Sequence, residues 1–465
     1  MDEDQPASKL PWGAYTMELQ QDSATKTPAV IATALHPSSP LKPILPNLSP
    51  SRWIREVLKS LGPGLITGAA DDDPSGIATY SSAGAQFGTG LLWTALITWP
   101  LMAAVQLMCA RIGMVTGRGL AENFKQRFPR WLLLVFVGAL LVANTINIAA
   151  DLAGMADAAQ MLSGINSRYF VVLFALVISW ATVRLPYRQI ANVLKWLVLV
   201  LFAYPITAFV VGVNWSQVLR ATFVPSLPHG SSEWGMLVAI LGTTISPYLF
   251  FWQASEEVEE EKAIGRTTLA ARKGATDQEI GLRNIDVGVG AFFSNIVMFF
   301  IILTTAVTLN KHGVTNIETT RQAAEALRPL AGNFAATLFT VGIVGVGLLA
   351  IPTLAGSTAY AFAETLRWQQ GLNQRFNKAR WFYAVILVST LAGVALDFIG
   401  INPVKALYWT AVINGLVAPF LLVAILIVAA DHKLMQGQPS SRLAKIVVAI
   451  TTALMFLAGI GMFVT

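Results

Sequence analysis

Three consecutive aspartates at positions 71–73 stand inside a long apolar segment, where a carboxylate costs several kcal/mol unless it is paired or faces a polar cavity. The nearest Lys or Arg on either side lies outside this segment, so the neighbouring sequence supplies no counter-charge. Pro74 removes one backbone donor and, with Gly76, interrupts the helix, which exposes carbonyl oxygens such as that of Ala70. One carboxylate beside free carbonyls suits a hard divalent cation. We therefore expect Asp73 to bind such a cation.

The roles of Asp71 and Asp72 stay open at this point. Both could line the path of a cation. Alternatively, some of the three acids could lie at the membrane surface or cap the half-helix that follows, a position where Asp and Ser are favoured. A run of three acids directly before a proline favours cation binding for Asp73.

A second interruption occurs at Pro247, where Thr243, Thr244 and Ser246 add hydroxyl groups and the carbonyl near Thr243 is freed. Such hydroxyls in membrane helices more often bond to their own backbone or to a neighbouring helix. Without the first interruption, we would interpret these residues as structural.

Further polar residues form a stripe within another apolar run. Asn144, Asn147 and Asp151 are spaced i, i+3 and i+7, so they share one helical face. This face must point into the bundle, where it could line a cation or proton path or simply bond helix to helix.

Five glutamates lie between positions 256 and 261. We expect most of them to form the solvated face of a loop. Glu256 and Glu257 are the better candidates for an inner vestibule that raises the local concentration of cations.

The elements that must position these residues are membrane helices. Of the 465 residues, 54% are hydrophobic and 12% are charged, whereas a soluble domain carries about 25% charged residues. Lipid requires no polar cover for apolar surface. No basic run interleaved with aromatic residues suggests nucleic-acid binding, and neither an HExxH nor a Gly-x-Ser-x-Gly motif suggests an enzyme.

Eleven apolar runs are long enough to span a hydrocarbon core of about 30 Å as helices. They lie near 62–84, 91–115, 131–160, 168–185, 192–213, 235–255, 286–309, 333–361, 381–400, 404–430 and 443–464. The chain is thus predicted to be an all-α polytopic membrane protein. Residues 1–50, which lack the apolar region of a signal peptide, are predicted to form a disordered cytoplasmic tail.

The distribution of basic residues predicts the orientation, because cytoplasmic loops carry the excess of Lys and Arg. With a cytoplasmic N-terminus, 26 of the 32 Lys and Arg residues fall on the inside. Six fall outside: Arg168, Arg220, Lys311, Arg321, Arg328 and Lys405. The C-terminus is then outside, and we expect a multi-pass protein of the cell's inner membrane.

The two proline interruptions lie in the first and sixth spans, five helices apart, so the two spans cross in opposite directions. This arrangement is typical of inverted repeats with broken helices at the midplane. We expect a transporter domain at 51–465, with one five-helix repeat near 53–213, a second near 235–430 and an additional helix at 443–464.

The motifs LGPG at 61–64, DPSG at 73–76 and AADLA at 149–153 resemble the first and third helices of the NRAMP divalent metal transporters. The resemblance covers residues 53 to about 464. It implies a LeuT-like 5+5 inverted-repeat fold and transport of Mn²⁺ or Fe²⁺ with protons. By this resemblance, Asp73 matches the metal-binding aspartate, while Ala70 and Thr243 match positions whose carbonyls bind the metal.

Four positions depart from the family pattern. Gly76 replaces an asparagine ligand, Ser246 a methionine ligand, Tyr248 a histidine, and Gly154 a glutamate. Losing the soft thioether favours Mg²⁺, which prefers oxygen ligands and keeps several waters, and we expect Gly76 and Ser246 to leave room for that water. The other two changes remove groups that could titrate during transport. The pattern is similar to that of the NRAMP-related magnesium transporters.

The leading hypothesis is a secondary transporter that moves partly hydrated Mg²⁺ or Mn²⁺ by alternating access, without a resident cofactor. The first alternative is an ordinary proton-coupled Mn²⁺ or Fe²⁺ symporter. The second is an organic-solute symporter on the same scaffold, although three acids at the interruption should repel an anionic substrate.

Overall fold

The chain is helical because apolar segments in lipid must satisfy their backbone hydrogen bonds internally. A computed structural model describes residues 67–68, 70–185 and 199–465. The predicted N-terminal tail and parts of the predicted first and fifth spans lie outside these described residues. The described residues all belong to one compact unit.

The helices are numbered here in chain order. They are α1 (Pro74–Phe87), α2 (Trp93–Thr116), α3 (Leu120–Arg127), α4 (Arg130–Ser163), α5 (Ser167–Arg184), α6 (Ala203–Val210), α7 (Trp215–Phe223), α8 (Ser231–Thr244), α9 (Pro247–Ala263), α10 (Asp277–Thr308), α11 (Thr320–Glu325), α12 (Arg328–Ala331), α13 (Ala335–Leu366), α14 (Arg380–Asp397), α15 (Pro403–Ala430) and α16 (Arg442–Val464).

Within the described part of the chain, nine helical segments are long and apolar enough to cross a membrane, with α8 and α9 counted together as one. They correspond to nine of the eleven predicted spans. The first and fifth predicted spans include residues outside the described ranges, and α1 and α6 are their described helical portions.

The helix α1 lies at the centre of the bundle, in contact with α4, α8, α10 and α15. In the apolar 18-residue stretch of the α8–α9 segment, 94% of the residues are buried within the protein. In the corresponding stretch of α5, 22% are buried. The two interrupted segments are therefore internal, whereas α5 turns most of its apolar surface outward, as expected of a helix that faces lipid.

Close helix contacts around this centre depend on glycine, because small residues let two helix backbones approach each other. A Cβ atom at Gly84 of α1 would lie 2.0 Å from Thr305 Oγ1 and 2.2 Å from the carbonyl oxygen of Ile302, both on α10. A Cβ atom at Gly242 of α8 would lie 2.0 Å from the carbonyl oxygen of Ala411 on α15. Both interrupted segments are thus held against their neighbours by backbone contact.

The prediction of a solvated loop for the glutamates at 256–261 is wrong. These residues continue the helix α9, and Glu257, Glu259 and Glu261 are buried. The reason is that cations from the helix and from segments after it neutralise them, with Lys262 Nζ 2.7 Å from Glu259 and Arg266 Nη1 3.7 Å from Glu261.

Arg283 of α10 is the centre of the largest of these ion clusters. Its Nε atom lies 2.8 Å from Glu257 Oε1 and its Nη1 atom 2.6 Å from Asp286 Oδ2, while Nη2 donates to Glu260. Gln253 extends the cluster, since its amide donates to Glu257 and its carbonyl oxygen accepts from Thr67. This cluster joins α9, α10 and the helical turn before the first interruption.

Substitution of Gly84 by Ala should destabilise the protein, because the added methyl group must displace the backbone of α10. Overpacking of this kind typically costs about 1–3 kcal/mol. The thermal unfolding midpoint of the purified protein should fall by several degrees. Gly138→Ala on α4 is the matched control, since nothing lies within 4 Å of the added Cβ. Equal midpoints for the two variants would contradict the proposed contact.

Substitution of Arg283 by Gln should destabilise the protein more strongly, because it leaves the nearly inaccessible side chains of Glu257 and Asp286 without their cation. Breaking a buried ion pair in this way costs about 3–5 kcal/mol. Arg328→Gln serves as the control, since Arg328 and Glu325 form an ion pair with 66% and 44% of their side chains exposed. Such surface pairs contribute about 0–1 kcal/mol. Similar shifts in thermal stability for both variants would show that the cluster is not stabilising.

Candidate functional site

The first helix interruption lies where the sequence predicts it. Ala70 and Asp71 are helical, Asp72 and Asp73 are not, and α1 begins at Pro74. Proline is well tolerated at the first position of a helix, because its missing N–H would have no partner there. The interruption therefore places Asp73 at the N-terminus of α1, inside the bundle.

Asp73 caps α1. Its Oδ1 atom accepts hydrogen bonds from the Gly76 amide at 2.7 Å and from the Ser75 hydroxyl at 2.6 Å. The capping interpretation of this residue is confirmed, and capping leaves the second carboxylate oxygen free for another partner. Since Asp73 is only 2% exposed, that partner must come from within the protein or from a bound ion.

The second oxygen of Asp73 faces α4. Its partner is the side-chain amide of Asn147, at 3.2 Å, and the same amide nitrogen donates to Asp151 Oδ2 at 2.9 Å. Asn414 of α15 donates in turn to Asn147 Oδ1 at 3.0 Å. One amide thus joins the two carboxylates, and a third helix fixes its orientation.

The polar stripe on α4 faces the bundle interior as predicted, but it divides into two parts. The amide of Asn144 donates to the carbonyl oxygen of Leu354 and to the hydroxyls of Ser357 and Thr358, all on α13. Asn144 therefore bonds helix to helix. Asn147 and Asp151, one and two turns further on, belong to the site around Asp73.

The second interruption separates α8, which ends at Thr244, from α9, which begins at Pro247. The hydroxyl of Ser246 donates to the carbonyl oxygens of Gly242 at 2.6 Å and Thr243 at 2.8 Å. Ser246 thus satisfies the carbonyls that the interruption frees. Thr244 likewise bonds to its own helix, at the carbonyl oxygen of Ile240.

The two interruptions meet in space. The Tyr248 hydroxyl on α9 donates to the carbonyl oxygen of Ala70 at 2.9 Å. A Cβ atom at Gly76 would lie 3.1 Å from Thr243 Oγ1 and 3.3 Å from the ring of Tyr80. The expectation that Gly76 leaves room for water is therefore wrong in this conformation, because the Thr243 and Tyr80 side chains occupy that space.

The other two aspartates face α10. Asp71 Oδ2 and Asp72 Oδ1 accept from one hydroxyl, that of Ser294, at 2.7 and 3.2 Å. Both residues are fully buried within the protein. Among the described residues, their remaining carboxylate oxygens have no hydrogen-bond partner.

Sequence reasoning did not identify Asn414 or Ser294, whose side chains complete these contacts. Each is a polar residue within a long apolar helix, α15 or α10, and this signal could have drawn attention to both. Glu256 and Glu257, in contrast, lie ten residues or so beyond the second interruption, at the end of α9 that carries the Arg283 cluster.

The chemistry available at the two interruptions is that of oxygen ligands. No group of three or more His, Cys, Asp or Glu side chains converges to hold a metal within the described ranges. The oxygen atoms near the interruptions belong to carboxylates, backbone carbonyls, hydroxyls and side-chain amides, which are ligands for a hard ion.

Comparisons with known proteins show the family of this chain. Residues 64–465 match the family model described as Nramp, natural resistance-associated macrophage protein-like. The divalent metal cation transporter MntH of Caldanaerobacter subterraneus subsp. tengcongensis is 28% identical over 421 residues, which cover 89% of this chain and 94% of the relative. MntH of Klebsiella pneumoniae strain 342 is 26% identical over 87% of this chain and 95% of its own length.

Solved structures show the same fold. The Eremococcus coleocola manganese transporter aligns with a TM-score of 0.70 at 18% identity, over 90% of this chain and 89% of that one. The nucleobase-cation-symport-1 family transporter MHP1, which has the LeuT-like fold, aligns with a TM-score of 0.57 at 13% identity, over 87% and 90%. The chain belongs to the Nramp family, a family of metal-ion transporters and not of enzymes.

Proposed function

We propose that this protein is a secondary transporter that carries a divalent cation, Mg²⁺ or Mn²⁺, across the inner membrane. The observation that carries the proposal is the position of Asp73. It is a buried carboxylate where two helix interruptions meet, and no Lys or Arg among the described residues forms an ion pair with it. A buried negative charge without a fixed counter-charge is the natural partner of a mobile cation.

The proposed ligands are Asp73 and the carbonyl oxygens of Ala70 and Thr243. In the present conformation these two carbonyls accept hydrogen bonds from Tyr248 and Ser246. A carbonyl oxygen has two lone pairs, so a cation would bind these oxygens beside the two hydroxyls or in their place, and the contact between Gly76 and Thr243 has to widen if the ion keeps some of its water. Replacement of a hydroxyl donor by the cation would link ion binding to movement of the interruptions.

Alternating access provides that movement. We propose two inverted five-helix repeats, near 53–213 and 235–430, with one interrupted span in each and an additional helix at 443–464. The two observed interruptions support this assignment, because interrupted helices at equivalent positions of two repeats form midplane sites. The bias of the basic residues supports a cytoplasmic N-terminus and an external C-terminus.

The choice of ion follows from the ligands. Oxygen ligands without a thioether at position 246 favour Mg²⁺ over softer transition metals. Mn²⁺ remains a second candidate because relatives are named divalent metal cation and manganese transporters. Tyr248 and Gly154, where the family pattern has titratable groups, favour transport without coupled proton movement.

Asp73→Asn should abolish divalent-cation flux into proteoliposomes while the protein stays folded. Asn caps a helix about as well as Asp, so the substitution removes the charge and keeps the cap. Asp431→Asn is the matched control, since Asp431 also accepts two backbone hydrogen bonds but lies between α15 and α16, away from the site. Flux at the wild-type rate in the Asp73 variant would refute the proposed ligand.

Ser246→Met should shift selectivity from Mg²⁺ towards Mn²⁺ and Cd²⁺, because a thioether prefers softer ions. Ser246→Leu controls for the loss of the hydroxyl and for the added bulk. Flux of the three ions should be measured with and without a pH gradient. We expect the wild type to carry Mg²⁺ without proton movement. Acid-driven Mn²⁺ and Cd²⁺ flux with no Mg²⁺ flux would instead establish an ordinary proton-coupled symporter.

A further inference from the structure

A cavity of about 720 Å³ lies away from the two interruptions, at the end of the bundle where α9 and α13 finish. Four cationic side chains from three separate segments line it, against two carboxylates. The cations are Arg118, Lys262, Arg367 and Lys378. Its size falls within the roughly 300–1,000 Å³ of small-molecule sites.

The positive charge of this cavity is only partly neutralised. Arg118 pairs with Glu122 at 3.1 Å and Lys262 with Glu259 at 2.7 Å. In the described part of the chain, neither Arg367 nor Lys378 has a carboxylate within ion-pair distance. Two cations thus remain available on the walls of one concave site.

The backbone at Arg367 is unusual. Its φ of 59° and ψ of 41° put it in the left-handed region at the end of α13, which costs free energy for a residue with a side chain. A neighbouring wall residue, Gln370, has a buried Oε1 atom without a hydrogen-bond partner among the described groups. If the side-chain amide of Gln370 rotates by half a turn, its NH₂ group takes the position of Oε1 and offers hydrogen-bond donors there.

We propose that this cavity binds a phosphate-bearing anion. Arg and Lys side chains that converge from several segments suit the multiple oxygens of a phosphate, with the guanidinium fork able to donate two parallel hydrogen bonds. The anion could be the headgroup of an anionic lipid or a soluble organic phosphate. Both present the same chemistry to Arg367 and Lys378.

The floor of the cavity connects it to the helix that carries the second interruption. Glu364 is 5% exposed, and its two oxygens accept from the Ser255 hydroxyl of α9 and from the Glu122 amide of α3, each at 3.2 Å. Glu364 therefore joins α9, α13 and α3 at the wall of the cavity, and an anion held by Arg367 and Lys378 would lie next to this junction.

Binding can be tested on the purified full-length protein with sodium pyrophosphate as the soluble probe and sodium chloride at equal ionic strength as the reference. A second arm compares nanodiscs of phosphatidylcholine alone with nanodiscs that also contain phosphatidylglycerol. We expect a higher thermal unfolding midpoint with pyrophosphate, with phosphatidylglycerol, or with both. The arm that responds identifies the source of the phosphate.

The double variant Arg367→Gln/Lys378→Gln should weaken the responding arm by at least about tenfold in apparent affinity, since each charge-assisted hydrogen bond contributes more than a neutral one. Arg375→Gln, which removes one exposed charge from the same loop outside the cavity, should respond like the wild type. The single variant Lys378→Gln should give an intermediate loss, even if the double variant proves unstable. No response in either arm, or the same response in all variants, overturns the proposal.

Discussion

A helix interrupted inside an apolar bundle frees backbone groups that no water can satisfy, and each must find a partner within the protein. In this structure the partners are side chains adjacent to the two interruptions. Asp73 accepts from the Gly76 amide, Ser246 donates to the carbonyls of Gly242 and Thr243, and Tyr248 donates to Ala70. The bonds of Asp73 and Ser246 are local to one interruption each, whereas the bond from Tyr248 to Ala70 joins the two interruptions at the centre of the bundle.

Two of the freed carbonyls, those of Ala70 and Thr243, are proposed ligands of the cation together with Asp73. Each carbonyl oxygen has two lone pairs, so a cation would bind beside the hydroxyls of Tyr248 and Ser246 or take their place. Replacement of these donors would couple ion binding to a conformational change, since the closed arrangement and the proposed loaded site use the same oxygens.

Buried acids in this protein are accommodated in two different ways. Glu257 and Asp286 are paired with a fixed cation, Arg283, and serve to join helices. Asp73 and Asp151 share the neutral amide of Asn147 instead, and Asp71 and Asp72 share the hydroxyl of Ser294. A fixed ion pair would exclude a mobile cation, whereas neutral donors leave the negative charge available to one.

The sequence by itself determined the helical membrane class, most of the spans, both interruptions and the position of Asp73 at the first of them. Apolar run length and proline position are local properties, and they act wherever the segment lies. The sequence did not determine which acids form ion pairs with a cation, because Arg283 reaches Glu257 only when α9 and α10 pack together. Only the tertiary structure separated Asn144 from Asn147, brought Asn414 and Ser294 to the site, and closed the space beside Gly76. Each of these contacts joins residues far apart in the chain, and sequence spacing carries no information about such distances.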